Sequence, residues 1–233
     1  MTDFSDKKLF DCTQCIFRMY SCMYMPEEEY EKIRKTANQL QFKKGEVILK
    51  QGSKTTHLLF LHKGVIKMNY ENNAGKNIIL TIVSGPKLLG GANLFFKDYN
   101  LFSIIAVEDC DVCLFDSKTL MSLLAENGSL LLTLVERATE MFQASIFNYI
   151  SLAHKQVNGR ISDILIYLSE HVYKTKQFIL TLTRKEIAEF AGCSHENVII
   201  TLSKFNKEGI ITINGKEIII NDMDKLQDIS RRG

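Results

Sequence analysis

The stretch that decides the fold is residues 180–220, LTLTRKEIAEFAGCSHENVIITLSKFNKEGIITINGKEIII. Thr183 is followed three residues later by Glu186, a capping box that predicts the start of a helix over RKEIAEFA. Gly192 supplies a tight turn after this helix, and Ser194 is a residue type that caps the next one. Two helices joined by a short turn with glycine form a helix-turn-helix, so the stretch predicts this motif.

A small β hairpin is predicted directly after the second helix. The sequence GIITINGKEIII places Asn214-Gly215, one of the strongest short-range hairpin signals, between two apolar runs. We therefore expect the hairpin to turn at Asn214-Gly215. Helix, turn, helix and hairpin in this order predict a winged helix-turn-helix.

The second helix has two distinct faces. Val198, Leu202 and Phe205 follow one another at i, i+4 and i+7, which predicts a buried stripe. At about 100° per residue, the opposite face carries Glu196, Ile200, Ser203 and Lys207, with His195 and Ile199 toward one flank.

This outward face has the chemistry to meet the major groove of DNA. Glu196 can accept a hydrogen bond from a cytosine amino group, and Ser203 can serve a base or a phosphate. The Ile200 side chain cannot form a hydrogen bond with a base, so it either contacts a thymine methyl group or reduces specificity at its position. The cations placed for phosphates are Arg184, Lys185, Lys204 and Lys207. The alternative is a small helical domain that binds protein.

Residues 42–115 predict an all-β domain, because short apolar runs rich in Ile, Val and Leu alternate with glycines. The predicted strands are EVIL, HLLFLH, VIKMNY, NIILTIV, FSIIAV and DVCLFD, with a hairpin turn at ENNAG. Upstream, Tyr30, Ile33, Ala37 and Leu40 recur at helical spacing, which predicts a surface helix over Glu27 to Leu40.

A long helical pattern follows from about Ser117. Its apolar positions recur at three- and four-residue steps, which indicates packing against another helix, most simply the same helix of a second subunit. The alternative is that this stripe covers the β domain. The stripe consists of Leu131, Val135, Ala138, Phe142, Ser145, Ile146, Tyr149 and Ala153.

Composition limits the class of protein. An apolar content of 45% with 24% charged residues is ordinary for a soluble globular chain, and a net charge of +2 leaves any nucleic-acid binding to a local basic patch. No apolar run is long enough to span a membrane and the N-terminus lacks a signal pattern, so we expect a cytoplasmic protein. In that compartment the six cysteines are core residues, metal ligands or redox groups rather than a disulfide framework.

A β domain, a long helix and a C-terminal winged helix-turn-helix in this order resemble the Crp/Fnr family of bacterial transcription regulators. The most specific matches are LTRKEIAEFAGCSHENV at 182–198 and KFNKEGIITINGKEIII at 204–220. The resemblance covers essentially the whole chain and implies an α+β fold with an N-terminal β-roll, a jelly roll like that of cyclic-nucleotide-binding domains. The implied segments are a cysteine-bearing segment at 1–25, an effector-sensing β-roll at 26–125, a dimerisation helix at 126–155 and a DNA-binding domain at 156–233.

The resemblance implies a homodimer that binds double-stranded, palindromic operator DNA and contacts RNA polymerase at activated promoters. Ser194, His195 and Glu196 fall where the family places base- and phosphate-contacting residues, whereas Ile200 falls where many members carry a base-reading arginine. The complete set of predicted DNA-contacting residues is Thr183, Arg184, Lys185, Ser194, His195, Glu196, Asn197, Ile200, Ser203, Lys204 and Lys207.

Cyclic AMP is not expected to bind. Cyclic-AMP-binding members of the family carry a Gly-Glu pair in the β-roll and, further along, Arg-Ser or Arg-Thr. In GGANLFFKDYNLFSIIAV, residues 90–107, Gly91 replaces the glutamate and no arginine appears before Ala106. A buried phosphate needs a cationic or multi-donor partner, and the arginine that serves this purpose in those members is missing here.

Cysteines near the N-terminus are the competing sensor. Cys12, Cys15 and Cys22 lie in a segment that is too short to bury a core alone, and iron-sulfur clusters are usually held by four cysteine thiolates. The oxygen-sensing Fnr branch uses a similar N-terminal trio plus one cysteine of the β-roll. The resemblance therefore implies a 4Fe-4S cluster.

The fourth ligand would be Cys110 or Cys113. Strict alternation in EDCDVCLFD, residues 108–116, places Cys113 on the polar side with Asp109 and Asp111. We expect a ligand that a surface segment reaches to lie on that side, which favours Cys113.

Several alternatives to the cluster remain. The four thiols suit structural zinc equally well, or they hold no metal and are redox-labile or inert. Haem bound through His57 or His62 is a further alternative. Cys193, in the predicted helix turn, is interpreted as a small core residue.

Two other functions are weighed against the DNA-binding regulator. One is a small-ligand receptor or interaction module that does not bind DNA. The other is an enzyme, which is not expected because the sequence lacks a nucleophile-base pair, a phosphate loop and metal-hydrolase spacing.

Overall fold

A computed structural model describes residues 17, 26–89 and 99–233 of the chain. The chain divides into two compact units, residues 1–65 with 85–141 and residues 66–84 with 142–233. The second unit includes residues 66–84, which lie within the segment that the resemblance assigned to the β-roll.

The strands are β1 (Asn38–Phe42), β2 (Val47–Leu49), β3 (His57–Lys63), β4 (Val65–Glu71), β5 (Asn77–Ser84), β6 (Lys87–Leu89), β7 (Ser103–Ala106), β8 (Cys110–Asp116), β9 (Gln177–Ile179), β10 (Ile211–Asn214) and β11 (Glu217–Ile220). The helices are α1 (Glu27–Thr36), α2 (Ser117–Glu126), α3 (Gly128–His154), α4 (Val157–Tyr167), α5 (Arg184–Ala191), α6 (His195–Lys207) and α7 (Met223–Arg232). A π-helical turn, Leu168–Val172, follows α4 directly.

The first unit is built on a four-stranded antiparallel sheet with the strand order β1-β8-β3-β6. Strand β3 is central, and its run Leu58 to Leu61 is at most 1% exposed, because both faces of this sheet are covered. Strands β2 and β7 form a further antiparallel pair, with Val47 opposite Ile105. All six strands predicted from the sequence are present.

A hydrophobic cluster covers one face of this sheet. Its helical members include Tyr30 and Ile33 of α1 and Leu120 of α2, and its strand members include Phe60 and Phe115. Asp116 caps α2 by accepting a hydrogen bond from the Thr119 amide at 2.8 Å. The cluster fixes where the helices lie on the sheet.

The predicted helix over Glu27 to Leu40 is wrong at its C-terminal end. Helix α1 stops at Thr36, Ala37 is extended with φ −78° and ψ 127°, and β1 then pairs with β8, Leu40 opposite Val112. Ala37 and Leu40 fit helical spacing, but a strand there pairs with backbone groups along one edge of β8, which a local pattern cannot reveal. Tyr30 and Ile33, two members of the predicted apolar stripe, are buried, as expected for one face of an amphipathic surface helix.

The long helical pattern after Ser117 is two helices rather than one. Asn127 lies between α2 and α3 in an extended conformation, and its side chain accepts a hydrogen bond from the Leu130 amide at 3.0 Å. Asparagine competes in this way with continued helical hydrogen bonding. Strands β1, β6 and β9 and the last helix, α7, were not predicted from the sequence.

Helix α3 exposes most of its apolar side chains in the single chain. Leu132, Phe142, Phe147 and Tyr149 are 64–71% exposed. Val135 of the predicted stripe, which lies in the same unit as the first sheet, is 53% exposed, so the alternative that the stripe covers the β domain is wrong at that position. None of the helices in the described part of the chain is long and apolar enough to span a membrane.

The second unit contains the helix-turn-helix, the three-stranded sheet β10-β11-β9 and the β4–β5 hairpin. In the wing, Asn214 pairs with Glu217, so the two turn residues are Gly215 and Lys216 rather than the predicted Asn214-Gly215. Gly215 has φ +61°, and a positive φ at the first turn residue alone is the pattern of a type II′ turn with glycine at that position.

Candidate functional site

Local hydrogen bonds set the geometry of the helix-turn-helix. The Thr183 hydroxyl accepts from the Glu186 amide at 3.2 Å while the Glu186 carboxylate accepts from the Thr183 amide at 2.7 Å, which confirms the predicted capping box. Gly192 ends α5 in the left-handed region with φ +57°. The Ser194 hydroxyl caps α6 by accepting from the Asn197 amide at 3.2 Å. These short-range contacts end α5 and start α6, so the chain changes direction between the two helices.

The two faces of α6 are those predicted from the sequence. Val198, Leu202 and Phe205 are at most 2% exposed. Thr201 is also buried, and its hydroxyl donates to the Asn158 side chain at 3.0 Å, which joins α6 to α4. The sequence analysis missed Thr201, although its position, three residues after Val198, is the signal that would have found it.

The predicted DNA-contacting residues lie together at the solvent-facing side of this motif. All of them are exposed except Arg184, which is half-buried. Apolar surface lies among them, since Ile200 is 64% and its neighbour Ile199 is 45% exposed. The exposed set is Thr183, Lys185, Ser194, His195, Glu196, Asn197, Ile200, Ser203, Lys204 and Lys207.

Glu196 is held as a carboxylate at the start of α6. Its own backbone amide, the Ser194 hydroxyl and nearby His195 lower the pKa of Glu196 below its ordinary value. An ionised carboxylate accepts hydrogen bonds and donates none. Glu196 therefore suits a base that presents an amino group in the major groove.

A cleft of about 350 Å³ lies between α6 and strand β10 of the wing. The Asn206 side chain crosses its end by accepting from the Ile213 amide at 2.9 Å. Burial lowers the pKa of Arg184, which lines the cleft at the start of α5. Arg184 thus has less contact with solvent than the exposed lysines of the motif.

The β4–β5 hairpin contacts the helix-turn-helix within the second unit. Lys67 of β4 donates to Glu186 at 2.8 Å, and the two side chains are only 12% and 19% exposed. Burial raises the pKa of Glu186, but the hydrogen bonds from Lys67 and Thr183 outweigh it, so the net pKa is lowered. On α4, the Tyr167 hydroxyl donates to the Ile82 carbonyl of β5 at 2.6 Å. The carboxylate that caps α5 therefore also binds the hairpin.

Cys113 lies on the buried side of β8. It is 3% exposed and belongs to the hydrophobic cluster of the first unit, so the argument that placed it on a polar side was wrong. Helices α1 and α2 cover the face that alternation had assigned to solvent. The choice of Cys113 over Cys110 stays a prediction.

Phe17, the one described residue of the N-terminal segment, packs into the same cluster. Its ring centroid lies 4.8 Å from that of Phe115 and 5.1 Å from that of Phe60. Phe60 is the strand partner of Cys113. Cys12, Cys15 and Cys22 lie outside the described residues.

Two other cysteines have different surroundings. The Cys110 thiol donates to the Val65 carbonyl at 3.4 Å, and burial, followed by the charge of Glu108, raises its pKa to about 11. Cys193 is only half-buried, which corrects the prediction of a core residue. Burial raises the pKa of Cys193, while Arg160 acts in the opposite direction.

Comparisons with known proteins follow this architecture. Residues 159–229 match the Crp-like helix-turn-helix domain, and residues 39–127 match the cyclic nucleotide-binding domain. A "Probable transcriptional activator" of Rhizobium leguminosarum bv. viciae is 25% identical over 222 residues, 93% of this chain and 91% of that protein. The cAMP-activated global transcriptional regulator CRP of Pasteurella multocida (strain Pm70) is 28% identical over 178 residues, 74% of this chain and 85% of that protein.

The structure of FixK2 from Bradyrhizobium japonicum has the same fold. Its TM-score is 0.76 at 16% identity, over 83% of this chain and 96% of that one. Both matched domains thus occur in the order predicted from the sequence. The chain belongs to the Crp/Fnr family. It is a DNA-binding transcription regulator of the Crp/Fnr type, and its relatives are regulators rather than enzymes.

In this Crp/Fnr protein, sequence reasoning located the recognition helix but missed three contacts around it. Lys67, Asn158 and Ile213 each reach the motif from another element. No local pattern points to Lys67, which is 119 residues from Glu186. Residues 90–98, which are half of the stretch compared with cyclic-AMP-binding members, lie outside the described residues.

Proposed function

We propose that this regulator binds a palindromic operator as a homodimer and that a redox or gas signal controls it through an iron-sulfur cluster. The proposed ligands are Cys12, Cys15, Cys22 and Cys113. The observation that carries the proposal is the packing of Phe17 in the hydrophobic cluster that contains Cys113. RNA polymerase is the further partner that the family resemblance implies.

The homodimer is supported by the exposed surface of α3. Contiguous exposed apolar surface marks an interaction site in a protein that is soluble, and aromatic residues are enriched at such sites. Val135, Phe142 and Tyr149 recur every seven residues on one face of this helix and are 53–71% exposed. A second copy of the same helix offers a matching apolar face, as a two-fold interface requires.

The proposed iron-sulfur cluster is supported by the position of Phe17 in the chain. Phe17 comes two residues after Cys15 and five residues before Cys22. Because Phe17 packs on Phe115, which lies two residues from Cys113 on the same strand and face, the residue that stands between Cys15 and Cys22 in the sequence lies on that side of β8. Four thiolates are a ligand set that suits an iron-sulfur cluster.

Cys110 is disfavoured as the fourth ligand. Adjacent strand residues alternate between faces, so Cys110 points away from the face on which Phe115 meets Phe17. Its thiol is also engaged as a donor to the Val65 carbonyl, whereas a metal ligand must be a thiolate. Among residues 17, 26–89 and 99–233, no group of three or more potential metal ligands occurs, so a site requires the N-terminal trio.

Cyclic AMP is not part of this proposal, although the related CRP of Pasteurella multocida is cAMP-activated. The sequence has no arginine between Arg34 and Arg137, an interval that contains the whole match to the cyclic nucleotide-binding domain. Bidentate phosphate recognition by arginine is therefore impossible within that domain.

The hydrophobic cluster supplies a route from the cysteines to the dimer helix. Leu130 of α3 is 3% exposed in the cluster that holds Phe17 and Cys113, and Leu134 packs against it. When the iron-sulfur cluster joins the N-terminal segment to Cys113, Phe17 stays packed in the hydrophobic cluster that contains these leucines. Loss of that tie shifts the balance between two packings of α3, and with it the spacing of the two recognition helices.

Anaerobic purification, with analysis of iron, acid-labile sulfide and zinc, tests the cluster. We expect about four irons per chain, a visible charge-transfer absorbance that is lost in air, and operator binding that falls with it. Cys113→Ser should lose iron and the oxygen response, while the matched control Cys110→Ser should retain both.

Three results would contradict the proposal: zinc in place of iron, no metal, or iron content that Cys113→Ser leaves unchanged. Binding of DNA is measured in the same preparations by gel shift at several salt concentrations. A regulator that bound its operator equally with and without iron would still be a DNA-binding protein, but not one controlled in this way.

A further inference from the structure

The centre of the outward face of α6 is apolar. Ile200 is 64% exposed and lies between Glu196, one turn before it, and Ser203, about one turn after it. Ile199 is turned toward the wing, where it lines the cleft with Ile213. Ile200 is therefore the apolar side chain that this face presents most directly to DNA.

An isoleucine can read only one feature of a base edge in the major groove. The edges of guanine, cytosine and adenine present acceptors and amino donors, and covering these without a hydrogen-bond partner costs free energy. The C5-methyl group of thymine is the exception, because it is apolar and projects into the groove. Contact with Ile200 removes both apolar surfaces from water.

We propose that Ile200 is a specificity-determining residue that selects thymine in each operator half-site by contact with its C5-methyl group. The proposal rests on DNA binding by this face of α6 and deepens it by naming the base read at its centre. Glu196, ionised and one turn earlier on the same face, accepts from the amino group of a base at a neighbouring position.

The test uses the full-length protein and removes one methyl group at a time. Binding sites are first selected from a random duplex library, with and without oxygen, and each thymine of the selected half-site is then replaced by deoxyuridine. We expect one thymine per half-site at which the change weakens wild-type binding about fourfold, which corresponds to burial of one methyl-sized group. Thymines elsewhere should tolerate the change.

Variants assign the effect to Ile200. In Ile200→Ala the difference between thymine and deoxyuridine should disappear at that position, while Ile199→Ala, the matched control, should keep it. Both side chains are exposed, so neither variant threatens folding.

Two outcomes would overturn the proposal while leaving DNA binding intact. One is a selected operator in which no thymine is sensitive to loss of its methyl group, and the other is a sensitivity that persists in Ile200→Ala. Failure of the wild-type protein to select any sequence would overturn the proposal and operator binding together. That result is distinguishable because wild-type selection is measured first.

Discussion

Replacement of Lys67 by methionine should loosen the start of the helix-turn-helix. The Lys67 ammonium donates to one carboxylate oxygen of Glu186 at 2.8 Å, and the other oxygen accepts from the Thr183 amide and hydroxyl at 2.7 and 2.9 Å. Methionine keeps an unbranched apolar side chain of similar reach but removes the charge. Glu186 would then stay largely buried with only its Thr183 contacts.

The magnitude follows from the burial of this pair. Hydrogen bonds to charged groups contribute about 1.5–3 kcal/mol, and loss of a partner leaves the buried group with an unmet desolvation cost. The side chains of Lys67 and Glu186 keep 12% and 19% exposure, and Thr183 still donates twice to Glu186. We therefore expect the variant to lose free energy of unfolding at the lower end of this range, about 1.5–2 kcal/mol. For a chain of this size, that corresponds to a fall in Tm of about 3–8 °C.

The effect should depend on pH in a defined direction. The folded-state pKa of Glu186 is lowered, so its contribution to stability is present above the ordinary glutamate pKa and is lost as pH falls through the folded value. Lys67→Met removes a cause of that lowering. The deficit of the variant should therefore be largest near neutral pH and shrink as the pH drops below about 4.3, the ordinary glutamate value.

Thermal unfolding across this pH range measures the deficit, and amide hydrogen exchange of residues 183–191 locates it. The matched control is Lys43→Met, because Lys43 donates to Asp109 at 2.7 Å but the two side chains are 75% and 63% exposed. Such a surface ion pair contributes little to the free energy of unfolding. Equal destabilisation by both variants, or a Lys67→Met deficit that does not change with pH, would refute the reasoning.

Two further predictions concern the interfaces. In salt-dependent gel shifts, Lys204→Ala should lower the slope of log affinity against log salt by about 0.9 for each phosphate that the protein no longer neutralises, or about 1.8 for a dimer. Lys118, an exposed lysine of α2 in the first unit, is the control, and Lys118→Ala should leave the slope unchanged. Phe142→Glu should convert the dimer to monomer in sedimentation experiments, because Phe142 is 64% exposed on the apolar stripe of α3 and a charge there opposes apolar contact. An unchanged sedimentation coefficient would exclude this face of α3 as the dimer interface.

Nonlocal pairing explains where the sequence analysis departed from the structure. The segment after Thr36 satisfied helical spacing, yet it forms β1 because the backbone of β8 offers a full row of hydrogen-bond partners. Cys113 was assigned to a polar side by alternation, yet α1 and α2 bury that side. In both cases the deciding partner is distant in sequence, so no window of neighbouring residues contains it.

By itself, the sequence determined the elements that are stabilised by interactions between residues close together in the chain. The capping box of Thr183 and Glu186, the left-handed Gly192 and the buried stripe of α6 depend on groups within a few residues of one another. Only the tertiary structure decided that Lys67 binds the carboxylate that caps α5, and that Phe17 packs on the face of β8 that carries Cys113. Those contacts need chain segments brought together by folding, and burial then sets their strength.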